Sequence, residues 1–359
     1  MDTTDPDIRF DEAGVCRWCH RHDRLMASLP ATPEERRASL EHRVERIRAD
    51  GRGRAYDCII GLSGGVDSTY VAHLVREHGL RPLAVHMDSG WNSEIAVSNI
   101  EAVVKVLGID LFTFVVDWEE MRDLQLAFLR ASVVNCDIPQ DHAFMAVLYR
   151  MAAKHGIRHV VSGHNYATES ILPLAWRGHS SKDLWYLKNV HRRHGTVPLR
   201  RYPTYSIADV LYSRFVRRVQ FFQILNLVEY DKPRVKEFIA RELGWRDYGG
   251  KHYESMWTRF FQSYYLVRKF GFDKRLAHLS NLVLSGGCTR NQALEELRQP
   301  AYDPAEAASL CEFVASKLRI APAELARLVG EAPSTHAFRS YENSLAGRAR
   351  RALGLSVRI

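Results

Sequence analysis

Short strand-like runs at residues 58–62, 83–87, 112–116 and 158–162 alternate with segments near 68–79, 94–107, 119–131 and 140–155, whose apolar positions recur at helical spacing. Unbroken apolar runs are the pattern of strands buried on both faces, so the alternation predicts parallel βαβ units with helices on both sides of one sheet. Ahead of it, residues 1 to about 30 read as a polar, irregular start. A connector helix is predicted from Thr32: Thr32, Pro33 and Glu35 make a capping box with proline at the first helical position, and Leu40, Val44 and Ile47 form one apolar stripe. Beyond residue 205 the pattern turns mostly helical. Pro233 opens one candidate helix, 254–270 is a long aromatic-rich one, 273–284 and 290–297 follow, and Pro304 and Pro322 mark two more starts.

The first apolar run ends in Ser63-Gly64-Gly65-Val66-Asp67-Ser68, and a helix pattern follows at once. Adjacent glycines let backbone approach a ligand, and free amides at a helix start face phosphate oxygens. A Walker loop carries Lys before its final Ser/Thr, whereas position 67 is Asp. The loop therefore suits a nucleotide attacked at its α-phosphate, with pyrophosphate leaving into a nest of amides. The expected fold is α/β: a Rossmann-like parallel sheet with a C-terminal helical region. Its expected divisions are an N-terminal segment over 1–50, a nucleotide-binding domain over 51–230 and a mainly helical substrate domain with a tail over 231–359.

With 359 residues and 46% hydrophobic content the chain can bury a large core. No apolar run approaches the ~20 residues that span a bilayer, and the acidic start is unlike a signal peptide, so a cytoplasmic protein without membrane partner is expected. Six scattered cysteines make no disulfide framework. The net charge of +8 suits either a nucleic-acid partner or an anionic small substrate. Arginines cluster at Arg192, Arg193, Arg200 and Arg201, at Arg214, Arg217 and Arg218, and at Arg348, Arg350 and Arg351, without the interleaved aromatics of an RNA-binding signature, so no nucleic acid is expected.

Ligands of open parallel sheets sit at the carboxyl ends of strands. His86, Met87 and Asp88 end the second run, where Asp88 is placed to hold a ribose; Gly163, His164 and Asn165 follow the fourth, and Glu169 is a candidate magnesium ligand beside Asp67. As helix-start acids, Asp67 and Glu169 also fit plain dipole caps.

With Ser63–Ser68 after one strand and Gly163-His164-Asn165 after a later one, the core resembles the PP-loop pyrophosphatase (adenine-nucleotide α-hydrolase) superfamily, whose shared chemistry is activation of a carbonyl oxygen by AMP. Many members carry a second acidic pair after the Gly-His; Asn165-Tyr166-Ala167-Thr168-Glu169 departs from this and argues against the common thiolase pattern. Three further stretches are more particular: Glu229-Tyr230-Asp231-Lys232, the run from Gly244-Trp245-Arg246 to Glu254-Ser255, and Asp273-Lys274-Arg275 to Ser280. With Asn135-Cys136-Asp137-Ile138-Pro139-Gln140-Asp141-His142, they are similar to the N-acetyl sugar amidotransferase family of bacterial surface polysaccharide (LPS O-antigen) synthesis.

That resemblance implies ATP and magnesium as cofactors, an anionic nucleotide-linked or nonulosonic acetamido sugar as substrate, and an acetamidino sugar as product. Asp67, Lys251 and Glu169 are the expected catalytic residues. Asp137, Gln140, Asp141, Lys251, His252, Tyr253, Glu254, Lys274, Arg275 and His278 are the expected substrate contacts, with a bidentate Arg275 the strongest. The cysteines sit in no glutaminase arrangement, so the resemblance implies a glutaminase subunit and a cyclase-like barrel subunit as ammonia suppliers; a homodimer remains open. Cys16 and Cys19 form half a zinc knuckle, which the resemblance raises to a zinc candidate; the family's earlier Cys-x-x-Cys is not in this sequence, so either the true start lies upstream, or the site is lost, or His20 and His22 complete it. The alternative function is a PP-loop tRNA thiolase or related tRNA-modifying enzyme.

Overall fold

A computed structural model describes residues 1–250 and 253–344. Its centre is a five-stranded, all-parallel sheet in the order β3-β2-β1-β4-β5. The strands are β1 (Cys58–Gly61), β2 (Pro82–Asp88), β3 (Asp110–Val115), β4 (His159–Ser162) and β5 (Gln220–Gln223). The first helices are α1 (Arg17–Met26), α2 (Pro33–Asp50), α3 (Val66–Glu77), α4 (Glu94–Leu107), α5 (Trp118–Arg130) and α6 (Ile138–His155). Four helices lie between β4 and β5: α7 (Tyr166–Glu169), α8 (Leu174–Arg177), α9 (Leu184–His194) and α10 (Ile207–Phe215). After β5 come α11 (Lys232–Leu243), α12 (Met256–Arg259), a π-helical turn (Phe260–Tyr265), α13 (Leu266–Phe270), α14 (Lys274–Leu284), α15 (Arg290–Arg298), α16 (Pro304–Leu318) and α17 (Pro322–Gly330).

Three of the four expected strands, β1, β2 and β4, are buried through most of their length because both sheet faces are covered. On one face α2, α3, α4 and α11 pack through Leu40, Val44, Val71, Val103 and Ile239; on the other lies α6 through Val147, Met151 and Ala152. A third cluster joins α5 to the C-terminal helices around Trp257, Phe260, Tyr265, Leu318 and Leu328. The capping box at Thr32 forms as expected, with the Glu35 amide donating to Thr32 and the Glu35 carboxylate accepting from the Thr32 amide.

Two elements depart from the expectation. The start of the chain is not irregular throughout: α1 forms over Arg17–Met26 without a side-chain cap, held by burial of Trp18, whose indole donates to the buried Asp5 at 2.6 Å. The mostly helical stretch after residue 205 yields, after α10, the strand β5, which adds to the sheet beside β4. Among the described residues no helix is long and apolar enough to cross a membrane.

Candidate functional site

At the carboxyl end of β1 the chain turns through Ser63–Gly65 and enters α3 at Val66, with Gly65 as its N-cap. Gly64 has φ +77°, and a Cβ there would collide with the Ala96 carbonyl, so backbone angle and neighbour both demand glycine. Two hydroxyls shape the turn. Ser68 Oγ accepts from the Ser63 amide at 3.3 Å and donates to the Gly65 carbonyl at 3.1 Å, while Ser63 Oγ accepts from the Gly65 amide at 3.3 Å. The Gly64 carbonyl is fixed from a distant part of the chain: the buried Trp245 indole donates to it at 2.9 Å. Asn99 locks the same junction, donating to the Arg246 carbonyl and accepting from its amide, both at 2.8 Å.

Asp67, in the first turn of α3, meets the segment after β5. The Tyr230 hydroxyl donates to Asp67 Oδ1, and Lys232 Nζ lies 3.8 Å from Oδ2. Burial and the Asp67 charge push the Tyr230 phenol well up, so it remains a neutral donor. The loop after β4 runs alongside: a Cβ on Gly163 would stand 3.1 Å from that of Asp67. His164 Nδ1 is 2.6 Å from Glu169 Oε2, and the Glu169 charge also acts on Tyr230. The charges of Asp67 and Glu169 thus both act on Tyr230, and two carboxylates next to the adjoining cavities fit magnesium, which fills the rest of its shell from phosphate oxygens and water. Among the described residues no group of three or more His, Cys, Asp or Glu side chains is arranged to hold a metal.

Two cavities adjoin here. One, of about 650 Å³, is lined by Ser63, Gly65–Ser68, Tyr230, Lys232, Tyr248 and Glu254. The other, of about 580 Å³, is lined by His164, Glu169, Tyr253, Arg259, Gln262 and Lys274 among others. Thr168, Gly250 and His278 border both.

The structure therefore gathers Ser63–Ser68, Asp67, His164, Glu169, Tyr253, Glu254, Lys274 and His278 around one double cavity. Lys251 and His252 lie outside the described residues, as do Arg348, Arg350 and Arg351 of the tail. Other candidates are placed differently. Arg275 borders the second cavity, but its guanidinium grips Asp273 through both carboxylate oxygens and also donates to the carbonyls of Glu296, Gln299 and Pro300. That engagement holds the end of α15 against α14 and leaves no bidentate face for a ligand. Asn165 is buried as the N-cap of α7, accepting from the Thr168 amide at 2.9 Å. Asp137 and Gln140 are buried in a network in which Gln140 donates to Asp137 at 2.6 Å, Ser89 donates to Gln140 at 2.6 Å and Thr258 donates to Asp137 at 3.2 Å. Asp141, one turn on, is exposed; the protein around it and the nearby Asp137 charge push its carboxyl up, to about 7, against the pull of Lys274. At the end of β2, His86 Nδ1 is 3.0 Å from the Leu62 carbonyl, and Asp88 accepts from the Gly90 amide at 2.8 Å; Met87 packs at the rim of the core. Burial holds the His86 imidazole below its usual pKa.

The zinc expectation is not supported. Cys16 and Cys19 stand with sulfurs 3.4 Å apart, but His20 Nε2 is engaged by Asp11 at 2.7 Å and His22 Nδ1 lies 3.4 Å from Asp23. Tyr230, Lys232, Trp245 and Asn99 are the site residues that sequence reasoning did not assign. The signal for the first two was a phenol and a cation in Glu229-Tyr230-Asp231-Lys232, a motif noted without a place.

Two family models match separate parts of the chain: NAD synthase over residues 36–196, and the C-terminal domain of WbpG-like LPS biosynthesis proteins over residues 254–351. The matches support a PP-loop ATP-pyrophosphatase chain with a WbpG-like C-terminal domain. Among curated proteins, an uncharacterized protein of Methanocaldococcus jannaschii is 23% identical over 44% of this chain and 53% of its own length. Cytoplasmic tRNA 2-thiolation protein 1 of Saccharomyces cerevisiae is 30% identical over 30% of this chain and 32% of its own. The tRNA(Ile)-lysidine synthase of Chlamydia pneumoniae is 30% identical over 28% and 30%. The chain thus spans about half the length of the first of these relatives and about a third of the others. Among solved structures, NMN synthetase of Francisella tularensis overlaps 86% of this chain and 100% of its own at 15% identity, with a TM-score of 0.40.

Proposed function

We propose that this PP-loop protein adenylates the acetamido oxygen of an anionic sugar and exchanges it for nitrogen, giving an acetamidino sugar, AMP and pyrophosphate for surface polysaccharide synthesis. The observation that carries the reading is the pair of adjoining cavities: the phosphate loop lines one, and Lys274, Arg259 and Tyr253 line the other, with His278 and Thr168 between. A nucleotide α-phosphate held at the loop would then face a substrate group held beside His278.

An amide oxygen is a poor leaving group, and transfer of AMP to it solves that problem. The amide oxygen attacks the α-phosphate and the bond to pyrophosphate breaks; ammonia adds to the imidate carbon, and AMP leaves with the original oxygen. Amides at the start of α3 receive the departing pyrophosphate. Lys232 supplies from the α11 start the cation that a Walker loop carries within itself. Magnesium, held by Asp67 and Glu169, would offset charge on the transferring phosphates. Lys274 offers positive charge to a sugar carboxylate or phosphate, while Arg259, paired with Glu306 at 2.6 Å, packs its guanidinium 4.1 Å from the Tyr253 ring centre and fixes that ring at the cavity wall. Lys251 and His252 stay candidates by sequence alone. Ammonia from a glutaminase subunit paired with a cyclase-like barrel subunit remains part of the proposal.

The thiolation relative favours a second reading, a tRNA-modifying enzyme. Against it, Cys58 and Cys136 are fully buried and their thiols pushed up, Cys136 to about 12, which denies them a reactive thiolate. Incubation with ATP, magnesium, ammonium and a nucleotide-linked diacetamido sugar decides: AMP and pyrophosphate should form together with a sugar lighter by the difference between O and NH. ADP, or turnover only with tRNA, would reject the reading.

A further inference from the structure

We infer that Gln262, carried by the π-helical turn at the wall of the 580 Å³ cavity, accepts the N–H of a sugar acetamido group and so selects an N-acyl over an O-acyl substrate. The inference rests on the sugar reading proposed above and names the residue that makes it selective.

Turns closed by i→i+5 bonds are rare in helices and concentrate at functional sites. In an α-helix, positions five apart point ~140° away from each other, so Phe260 and Tyr265 would face different sides. In the π-helical turn both are fully buried, with ring centres 6.4 Å apart. The two residues midway between them, Gln262 and Ser263, line the cavity.

Ser263 is already engaged, its hydroxyl donating to the Arg259 carbonyl at 2.7 Å. Other neutral polar groups of the same wall are committed too. The Thr168 hydroxyl donates to Asn165 at 3.0 Å, and the buried Asn281 accepts from Ser170 at 2.6 Å and donates to the Ala277 carbonyl at 2.9 Å. Gln262 is half-buried and makes no hydrogen bond among the described residues. The Tyr253 hydroxyl is likewise without a hydrogen bond there.

A carboxamide offers an acceptor oxygen and two donor N–H groups. In the proposed reaction the acetamido oxygen attacks the α-phosphate, which leaves the acetamido N–H in need of an acceptor. Lys274 only donates, and Glu169 faces His164 and the magnesium of the proposed site. Gln262 Oε1 is the neutral amide acceptor at the wall, and its Nε2 can donate to a neighbouring ring hydroxyl. An O-acetyl ester has nearly the same shape but no N–H, so it sets an oxygen against Gln262 Oε1. A buried polar group left facing no partner costs more than the hydrogen bond yields.

Titration calorimetry separates the cases, using a nucleotide-linked diacetamido sugar and the two isosteres in which an O-acetyl ester replaces one acetamido group. Wild type should bind the diacetamido sugar about tenfold more tightly than one of the isosteres. Gln262→Met, similar in length and in helix propensity, should lose that preference by weakening the diacetamido sugar about tenfold, with ATP affinity and melting temperature unchanged. Tyr253→Phe, which removes the other uncommitted group, should keep the preference. A preference that survives Gln262→Met, an equal loss for all three sugars, or a parallel fall in ATP affinity or melting temperature would overturn the inference and leave the sugar reading standing. A wild-type chain that binds no diacetamido sugar would reject both.

Discussion

The Tyr230 hydroxyl, carried by the segment after the last strand, donates to the carboxylate of Asp67 in the phosphate loop after the first. A hydrogen bond to one oxygen of a metal-binding carboxylate fixes the direction of the other, and losing such a partner typically costs about 10–100-fold in metal affinity or activity. Tyr230→Phe should therefore raise the magnesium concentration needed for half-maximal ATP–pyrophosphate exchange by about tenfold or more. Lys232→Met should instead raise KM for ATP and leave the magnesium midpoint near its wild-type value. Equal effects of the two changes on both quantities would contradict the separate roles.

Glycines of the loop region differ in what they tolerate. Gly64→Ala forces φ +77° on a residue with a Cβ and drives that Cβ into the Ala96 carbonyl, which belongs to a buried helix backbone and cannot yield. Gly163→Ala has no such angle to meet; its Cβ would crowd the Cβ and backbone of Asp67 at 3.1–3.3 Å. The first change should lower thermal stability and abolish nucleotide binding together. The second should leave melting nearly unchanged and weaken ATP binding, as titration calorimetry would show.

Arg275 and Lys274 are neighbours with opposite expected roles. Arg275 joins α14 to the end of α15 through five oxygen atoms, so Arg275→Ala leaves the Asp273 carboxylate and three carbonyls without their shared donor. Charged hydrogen bonds contribute ~1.5–3 kcal/mol each at most, and Arg275→Ala should lower the melting temperature clearly while changing sugar KM little. Lys274→Ala should do the reverse. Melting curves and sugar titrations of both variants test the pair.

The core was legible in sequence because a strand covered on both faces tends to read as an apolar run, as Cys58–Leu62 does. β5 was not, since Gln220-Phe221-Phe222-Gln223 is half polar and follows two arginines; its pairing with β4 is a tertiary fact. α1 likewise shows no capping signal and depends on burying Trp18. The loop itself was readable from Ser63 to Ser68, because glycine and hydroxyl positions are local demands. What closes on it was not: Tyr230 and Lys232 reach Asp67 only because β5 joins the sheet next to β4, and Trp245 reaches Gly64 only because α11 packs on α3 and α4. The hope of a bidentate Arg275 failed for the same reason, since its partners lie some twenty residues on, in a helix end that sequence spacing does not place beside it.

Asp141, exposed on α6, gives the protein a pH-dependent stability of defined sign, its size reduced by solvent screening. Its carboxyl is raised in the folded chain, from 3.8 to about 7, by surrounding protein and by Asp137. Between those values the folded state holds a proton that the unfolded state releases, so this contribution is fully present below the unfolded pKa and is lost as pH rises through about 7. Asp141→Asn, which keeps a neutral side chain of the same shape at every pH, should match wild type in melting temperature near the acid end of that window. At pH above the folded value it should melt higher, with the gap opening progressively in between. The measurement is thermal unfolding of both chains across that pH range in a constant-ionic-strength buffer. A gap that is constant with pH, or one that opens on the acid side, would show that the Asp141 carboxyl is not held protonated by its surroundings.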